Sequence, residues 1–205
     1  MRRLSGAIEG VELEGWRATH RYYEPLVNAA AVKLLPGEYY VSVAGEALCT
    51  VLGSCVALCL FDPVTKVAAM NHFLLPGDAP MAVKRAHGMR YGNTSCAVLI
   101  ATMVRAGARP ERLEAKLFGG ASGLTGVAQS VLRVGELNAR CGEAFVAAHG
   151  LRLVASDLEG RQARRVLFDT ESGRVRVRRL GVREGKIDQV TVTGLIEPGA
   201  RREAP

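Results

Sequence analysis

The sequence predicts an α+β fold, a mixed β-sandwich of two packed sheets or one strongly bent sheet, with helices on the outside. Three observations carry this expectation. Apolar runs of strand length outnumber runs of helical period, and those runs are short and separated by tight Gly, Pro and Asp turns. The chain also has ordinary globular composition, with 205 residues, 48% hydrophobic and 23% charged side chains. Such values exclude a wholly disordered, collagen-like or coiled-coil protein, and a chain of this length buries roughly 70% of its unfolded surface without staples.

The elements follow in order. Residues 1–35 hold the only tryptophan, Trp16, with His20, Tyr22 and Tyr23, and lack sustained periodicity. They read as an N-terminal extension whose aromatic side chains fold back onto the body or dock a partner, the first being favoured because exposed aromatics are costly. Tyr39 to Ala44 and Leu48 to Leu52 are β-rich, Gly53-Ser54 interrupts, and Cys55 to Phe61 resumes as a strand. Asp62-Pro63 turns the chain into a returning strand, Val67 to Leu75, so that Cys55 to Leu75 forms a hairpin.

Gly77 to Gly92 is a loop, and Asn93 or Thr94 caps a helix that ends at Gly107 to Pro110. Leu113 to Phe118 is a strand closed by Gly119-Gly120, and a second long helix spans about Gly135 to His149. Leu151 to Asp157, Arg164 to Asp169 and Arg174 to Leu180 are strands, with Glu171-Ser172-Gly173 turning the last pair. The body thus covers residues 36–180, and residues 181–205 form a C-terminal tail.

Charge and cysteine usage narrow the function class. Of the net +7, +4 lies beyond residue 150, largely on a strand where Arg174, Arg176, Arg178 and Arg179 surround Val175 and Val177, the pattern of a solvated sheet face. Nucleic acid binding would need aromatic interleaving that this stretch lacks. The five cysteines, Cys49, Cys55, Cys59, Cys96 and Cys141, form no repeating disulfide framework, and acidic residues fall where a signal peptide would be apolar. The uncharged run Ala47 to Phe61 is too short to span a bilayer, so a cytoplasmic location is expected.

Cys55 follows a Gly-Ser bend at a strand start, where a sulfur can be presented in a cleft. Free cysteine is usually just a buried small hydrophobe, and Cys59, Cys96 and Cys141 fit that plainer reading. His72 distinguishes Cys55. A hairpin turning about Pro63 and Val64 would set Cys55 opposite His72 on one face, with β-carbons about 5 Å apart. A one-residue slip would separate them, and Pro63-Val64 does not fix the register. Thr50 is the candidate for orienting the imidazole, whereas Asn71 should point to the other face. His20, His87 and His149 read as surface histidines.

A metal site of Cys49, Cys55, Cys59 and His72 matches no usual zinc spacing. Gly119-Gly120 lacks the signature of a phosphate loop. No cofactor is expected.

The strings Leu52-Gly53-Ser54-Cys55-Val56-Ala57-Leu58-Cys59-Leu60-Phe61-Asp62-Pro63 and Met70-Asn71-His72-Phe73-Leu74-Leu75-Pro76 resemble the CheD family of chemoreceptor glutamine deamidases. The match continues through Arg90-Tyr91-Gly92-Asn93, Lys116-Leu117-Phe118-Gly119-Gly120-Ala121, Gly135-Glu136 with Asn138, and Asp157-Leu158 to Gly173. The resemblance implies conversion of particular receptor glutamines to glutamates, with Cys55 as nucleophile, His72 as its partner and Thr50 as the preceding threonine. It also implies a sandwich similar to the catalytic domain of cytotoxic necrotising factors, and a CheC phosphatase as a partner. Two positions depart from the family pattern: Leu137 replaces a common arginine, and Glu159 a glycine.

A free thiol with pKa about 8.5 is only about 3% ionised at pH 7, so an adjacent His72 would raise the reactive fraction up to about thirtyfold. Two other functions are compatible with the residues: a non-enzymatic docking protein for CheC or receptors, and another cysteine hydrolase.

Overall fold

A computed structural model describes residues 11, 13–122, 129–183, 186–189 and 194–195. Twelve strands are described: β1 (His20–Glu24), β2 (Ala29–Lys33), β3 (Tyr39–Ser42), β4 (Ala47–Leu52), β5 (Val56–Phe61), β6 (Ala68–Asn71), β7 (Glu114–Gly119), β8 (Arg152–Leu158), β9 (Ala163–Phe168), β10 (Val175–Arg183), β11 (Lys186–Gln189) and β12 (Gly194–Leu195). Three α-helices accompany them: α1 (Met81–His87), α2 (Gly92–Arg105) and α3 (Gln129–Ala148).

The strands form two sheets. One runs β1-β2-β4-β9-β10-β11, with β12 also on β10; the other runs β3-β6-β5-β7-β8. Both are mixed, because β2 pairs parallel with β4 and β7 parallel with β8. Alternation in the strands divides the apolar side chains between two layers. Leu48, Leu52, Val166 and Phe168 of the first sheet meet Ala57, Cys59, Phe61, Met70 and Phe118 of the second in an inter-sheet core. Val56, Leu58, Leu60, Ala69 and Leu117 point the other way, onto α2 and α3. The α+β sandwich expected from the sequence is therefore present, and these helices cover the outer face of the five-stranded sheet.

Several expectations are corrected. Residues 20–33, assigned to an extension, supply β1 and β2 of the larger sheet. Trp16 does fold back onto the body, as favoured, so closely on Gly37 that a Cβ there would lie 2.5 Å from its ring. Ala-rich β2 carries no alternating pattern, and its place depends on parallel pairing with a strand that follows it in the chain. Beyond residue 180, β10 continues to Arg183 and β11 pairs back onto it; residues 1–10 and 196–205 lie outside the described residues. The loop after Gly77 contains α1, which buries no side chain and so leaves no apolar stripe to read. Helix α2 starts one residue before Asn93 and has no side-chain cap. Instead Asn93 donates to Asp78, and Thr94 accepts from the Ala79 amide. The basic strand β10 is partly occupied from within: Arg176 donates to the Leu26 carbonyl, and Arg179 pairs with Asp157 at 2.9 Å.

Candidate active site

The hairpin β5–β6 forms, but its register is shifted by two residues from the expected one. Cys59 pairs with Met70, Leu60 with Ala69, and Val56 bridges Phe73. The turn is wider than a Pro-Val pair because the buried Asp62 carboxylate accepts the Val64 and Thr65 amides while the Asp62 amide bonds Val67. This register sets Cys55 opposite Leu74 and His72 opposite Ala57, making Cys55 and His72 diagonal neighbours. A two-residue shift preserves the face. Diagonal positions lie roughly 7–8 Å apart, within reach of an imidazole. Both residues belong to the face that meets the larger sheet: Cys55 packs against the inter-sheet core, and His72 reaches β4 across the gap.

The partner on β4 is Thr50. Its Oγ1 lies 2.8 Å from His72 Nδ1 and 2.8 Å from the Leu34 carbonyl. A hydroxyl has one proton, and the carbonyl can only accept it, so Thr50 donates to Leu34 and receives the Nδ1–H of His72. The hydrogen-bond network thereby assigns the tautomer and leaves the Nε2 lone pair free. Nε2 is buried and has no hydrogen-bond partner among the described residues. Leu34 holds this position because its amide bonds the Cys49 carbonyl at 2.8 Å, extending the parallel β2–β4 pairing.

Burial sets the electrostatics. Thr50 and His72 are 0% and 2% exposed, while Cys55 is the half-buried member of the group and the one nearest solvent. Desolvation lowers the His72 pKa to about 4, and it pushes the Cys55 thiol up to about 11. Thiol and imidazole are both neutral at pH 7, with about one thiol in ten thousand ionised. This replaces the thirtyfold gain in resting thiolate expected from the sequence.

The bend carrying Cys55 is held from behind. The Gly53 carbonyl accepts the Ala121 amide and the Cys55 carbonyl the Gly120 amide, both at 2.8 Å. The Ser54 carbonyl accepts Asn138 Nδ2 at 3.0 Å. Contact is so close that a Cβ on Gly119, at φ +114°, would lie 2.1 Å from the Cys55 carbonyl oxygen. The Gly-Gly pair and Asn138 were visible in the sequence strings, but their spacing suggested no link to Cys55. A signal did exist, since consecutive glycines ending a strand mark close backbone approach.

The other candidates separate. Cys49 and Thr50 point to opposite faces of β4, and Cys49 packs with Ala31, Ala47 and Leu167 away from the site. Cys59 and Cys96 are buried, and burial pushes the Cys59 thiol up to about 12. Cys141 accepts the Gly77 amide at 3.2 Å. Asn71 points to the helix side, bonding the Leu58 amide and Ser95. Of the two departures, Leu137 is 47% exposed, and Glu159 occupies the left-handed region at φ 60°.

Fold and site together describe an α+β sandwich with a thiol, an imidazole and a hydroxyl gathered at one end of the gap between its sheets. A model of "CheD chemotactic sensory transduction" matches residues 74–179. A Burkholderia orbicola protein called probable chemoreceptor glutamine deamidase CheD is 43% identical over 164 residues, covering 80% of this chain and 66% of its own length. Its Burkholderia thailandensis counterpart, CheD 1, is 41% identical over 166 residues, covering 80% and 70%. The chain belongs to the CheD family. Among solved structures, the crystal structure of Bacillus licheniformis hypothetical protein YfiH aligns with a TM-score of 0.38 at 11% identity over 77% of this chain and 68% of that one, too low to bear on function.

Proposed function

We propose that the protein converts specific glutamine side chains of chemotaxis receptors to glutamate, through a thioester on Cys55. The observation that carries this reading is the Thr50–His72 contact, which leaves His72 Nε2 unprotonated and, among the described residues, without a hydrogen-bond partner, on a residue diagonal to Cys55. The names of the Burkholderia relatives supply the substrate class.

The chemistry follows from the residue types. On substrate binding the Cys55 thiol gives its proton to His72 Nε2, and the sulfur attacks the carboxamide carbon. Negative charge moves to the carbonyl oxygen. The carbonyls of Gly53 and Cys55 are engaged by the strap Gly120-Ala121 and that of Ser54 by Asn138, and the N–H groups of this bend are the donors this reading assigns to that oxyanion. His72 returns the proton to the nitrogen, ammonia leaves, and a thioester remains. Water then attacks the thioester while His72 takes its proton, and collapse yields glutamate and the free thiol. Because the resting pair is neutral, proton transfer accompanies attack and does not precede it. Thr50 stabilises the imidazolium only through Nδ1–H, which keeps Nε2 as the working nitrogen.

An asparagine carbonyl would fall about 1 Å or more short of the attack position, a displacement that costs on the order of a hundredfold. Burial of the machinery beneath a half-exposed thiol supports a substrate that offers a protruding side chain. The five cysteines unpaired in the structure support action in the cytoplasm, and a CheC-type phosphatase is a further partner suggested by the family. Ammonia release from a receptor cytoplasmic fragment, with wild-type and Cys55→Ala protein side by side, tests the proposal. Release that is equal in both would reject it.

A further inference from the structure

We infer that Asn138 is a positioning residue that sets the separation of Cys55 and His72. The inference rests on the deamidase reading of the site.

Asn138 lies on α3 and is fully buried, at 0% exposure. Its Nδ2 donates to the Ser54 carbonyl at 3.0 Å and to the Leu74 carbonyl at 2.8 Å. Ser54 immediately precedes Cys55, and Leu74 is two residues past His72. One side-chain amide thus ties the bend bearing the thiol to the strand bearing the imidazole, just past the last bridge between them, Val56 with Phe73. Beyond that bridge, Asn138 spans the two segments.

The orientation of the amide is unambiguous, since only an NH2 group can face two carbonyl oxygens. Its Oδ1 is buried without a hydrogen-bond partner among the described residues. The donor end is the one that bridges two segments.

Helix α3 is a firm base for this bridge. Gly135, one turn earlier, lies so close to the strap that a Cβ would be 2.5 Å from the Ala121 carbonyl oxygen and 2.8 Å from that of Gly120. Ala121 and Gly120 in turn hold the Gly53 and Cys55 carbonyls. The helix therefore grips the bend at three successive carbonyls, directly through Asn138 and indirectly through the strap, while Asn138 also links it to the Leu74 carbonyl beside His72.

Two variants test this. Asn138→Asp keeps the shape but places an oxygen against both carbonyls, and Gly135→Ala lifts the helix off the strap with Asn138 intact. Deamidation of a receptor cytoplasmic fragment is measured at a temperature where circular dichroism finds each variant folded. Both variants are expected to lose on the order of a hundredfold in kcat with KM within about threefold, because the reacting groups are displaced but the substrate surface is not. In Asn138→Asp, protonation of the buried carboxyl restores one donor, so its kcat relative to wild type rises as pH falls from 8 to 5. Folded Asn138→Asp with wild-type kcat, or a deficit independent of pH, would overturn the inference. If wild type itself releases no ammonia, the deamidase reading fails instead.

Discussion

The Thr50 hydroxyl lies 2.8 Å from Nδ1 of His72, although Thr50 is on β4 of one sheet and His72 directly follows β6 of the other. The contact spans the inter-sheet gap and fixes which imidazole nitrogen remains free. Its consequence for activity is testable with two substitutions. Thr50→Ser keeps the hydroxyl and is expected to stay near wild type. Thr50→Val removes it, leaves the Leu34 carbonyl without its donor and frees the imidazole to change tautomer. Thr50→Val should lose about a hundredfold in kcat and about 1–3 kcal/mol of stability. Steady-state kinetics and urea melts check both.

The neutral resting pair gives a distinctive pH profile. A base is active only when unprotonated, and with the His72 pKa lowered to about 4, kcat/KM should stay level down to about pH 5. An ordinary histidine would already fail near 6.5. The alkaline side should be flat until the thiol begins to ionise, near 11. An acid limb centred at 6.5 would contradict this account. The same burial affects folding. Between about 6.5 and 4 the unfolded chain binds a proton that the folded chain refuses, so stability is full above 6.5 and falls as pH drops through that window. His72→Ala should remove this part of the acid sensitivity.

Glu159 sits at φ 60° and is exposed, with its amide bonded to the Gly119 carbonyl at 2.8 Å. The left-handed region costs an L-residue roughly 1–2 kcal/mol, and the added freedom of glycine in the unfolded chain offsets about half of that. Glu159→Gly is expected to stabilise by about 0.5–1 kcal/mol, raising Tm by roughly 1–4 °C. A lower Tm by differential scanning calorimetry would show that the Glu159 side chain contributes more than its backbone costs.

The contrast between Cys55 and its supports indicates what sequence can reveal here. The hairpin and the shared face of Cys55 and His72 follow from alternation, and alternation survives a two-residue shift. The shift itself was not legible, because it depends on Asp62 accepting amides across a four-residue turn. Thr50 was legible as a residue type at a plausible distance, but Leu34 was not: its role belongs to a backbone carbonyl, which every residue has. Asn138 and the Gly119-Gly120 pair lie more than sixty positions from Cys55, and only the folded chain places them against it. Strands β1 and β2 were missed for the same reason, since Ala-rich β2 is held by its neighbours and not by its own pattern.

The central claim is that Cys55 and His72 together turn a receptor glutamine into glutamate. The most direct measurement is mass spectrometry of receptor peptides after incubation with wild-type, Cys55→Ala and His72→Ala protein, each verified as folded. The account expects an amide-to-acid mass change at particular glutamines with wild type alone, leaving neighbouring asparagines untouched. The same change with folded Cys55→Ala protein, or none with wild type, would contradict it.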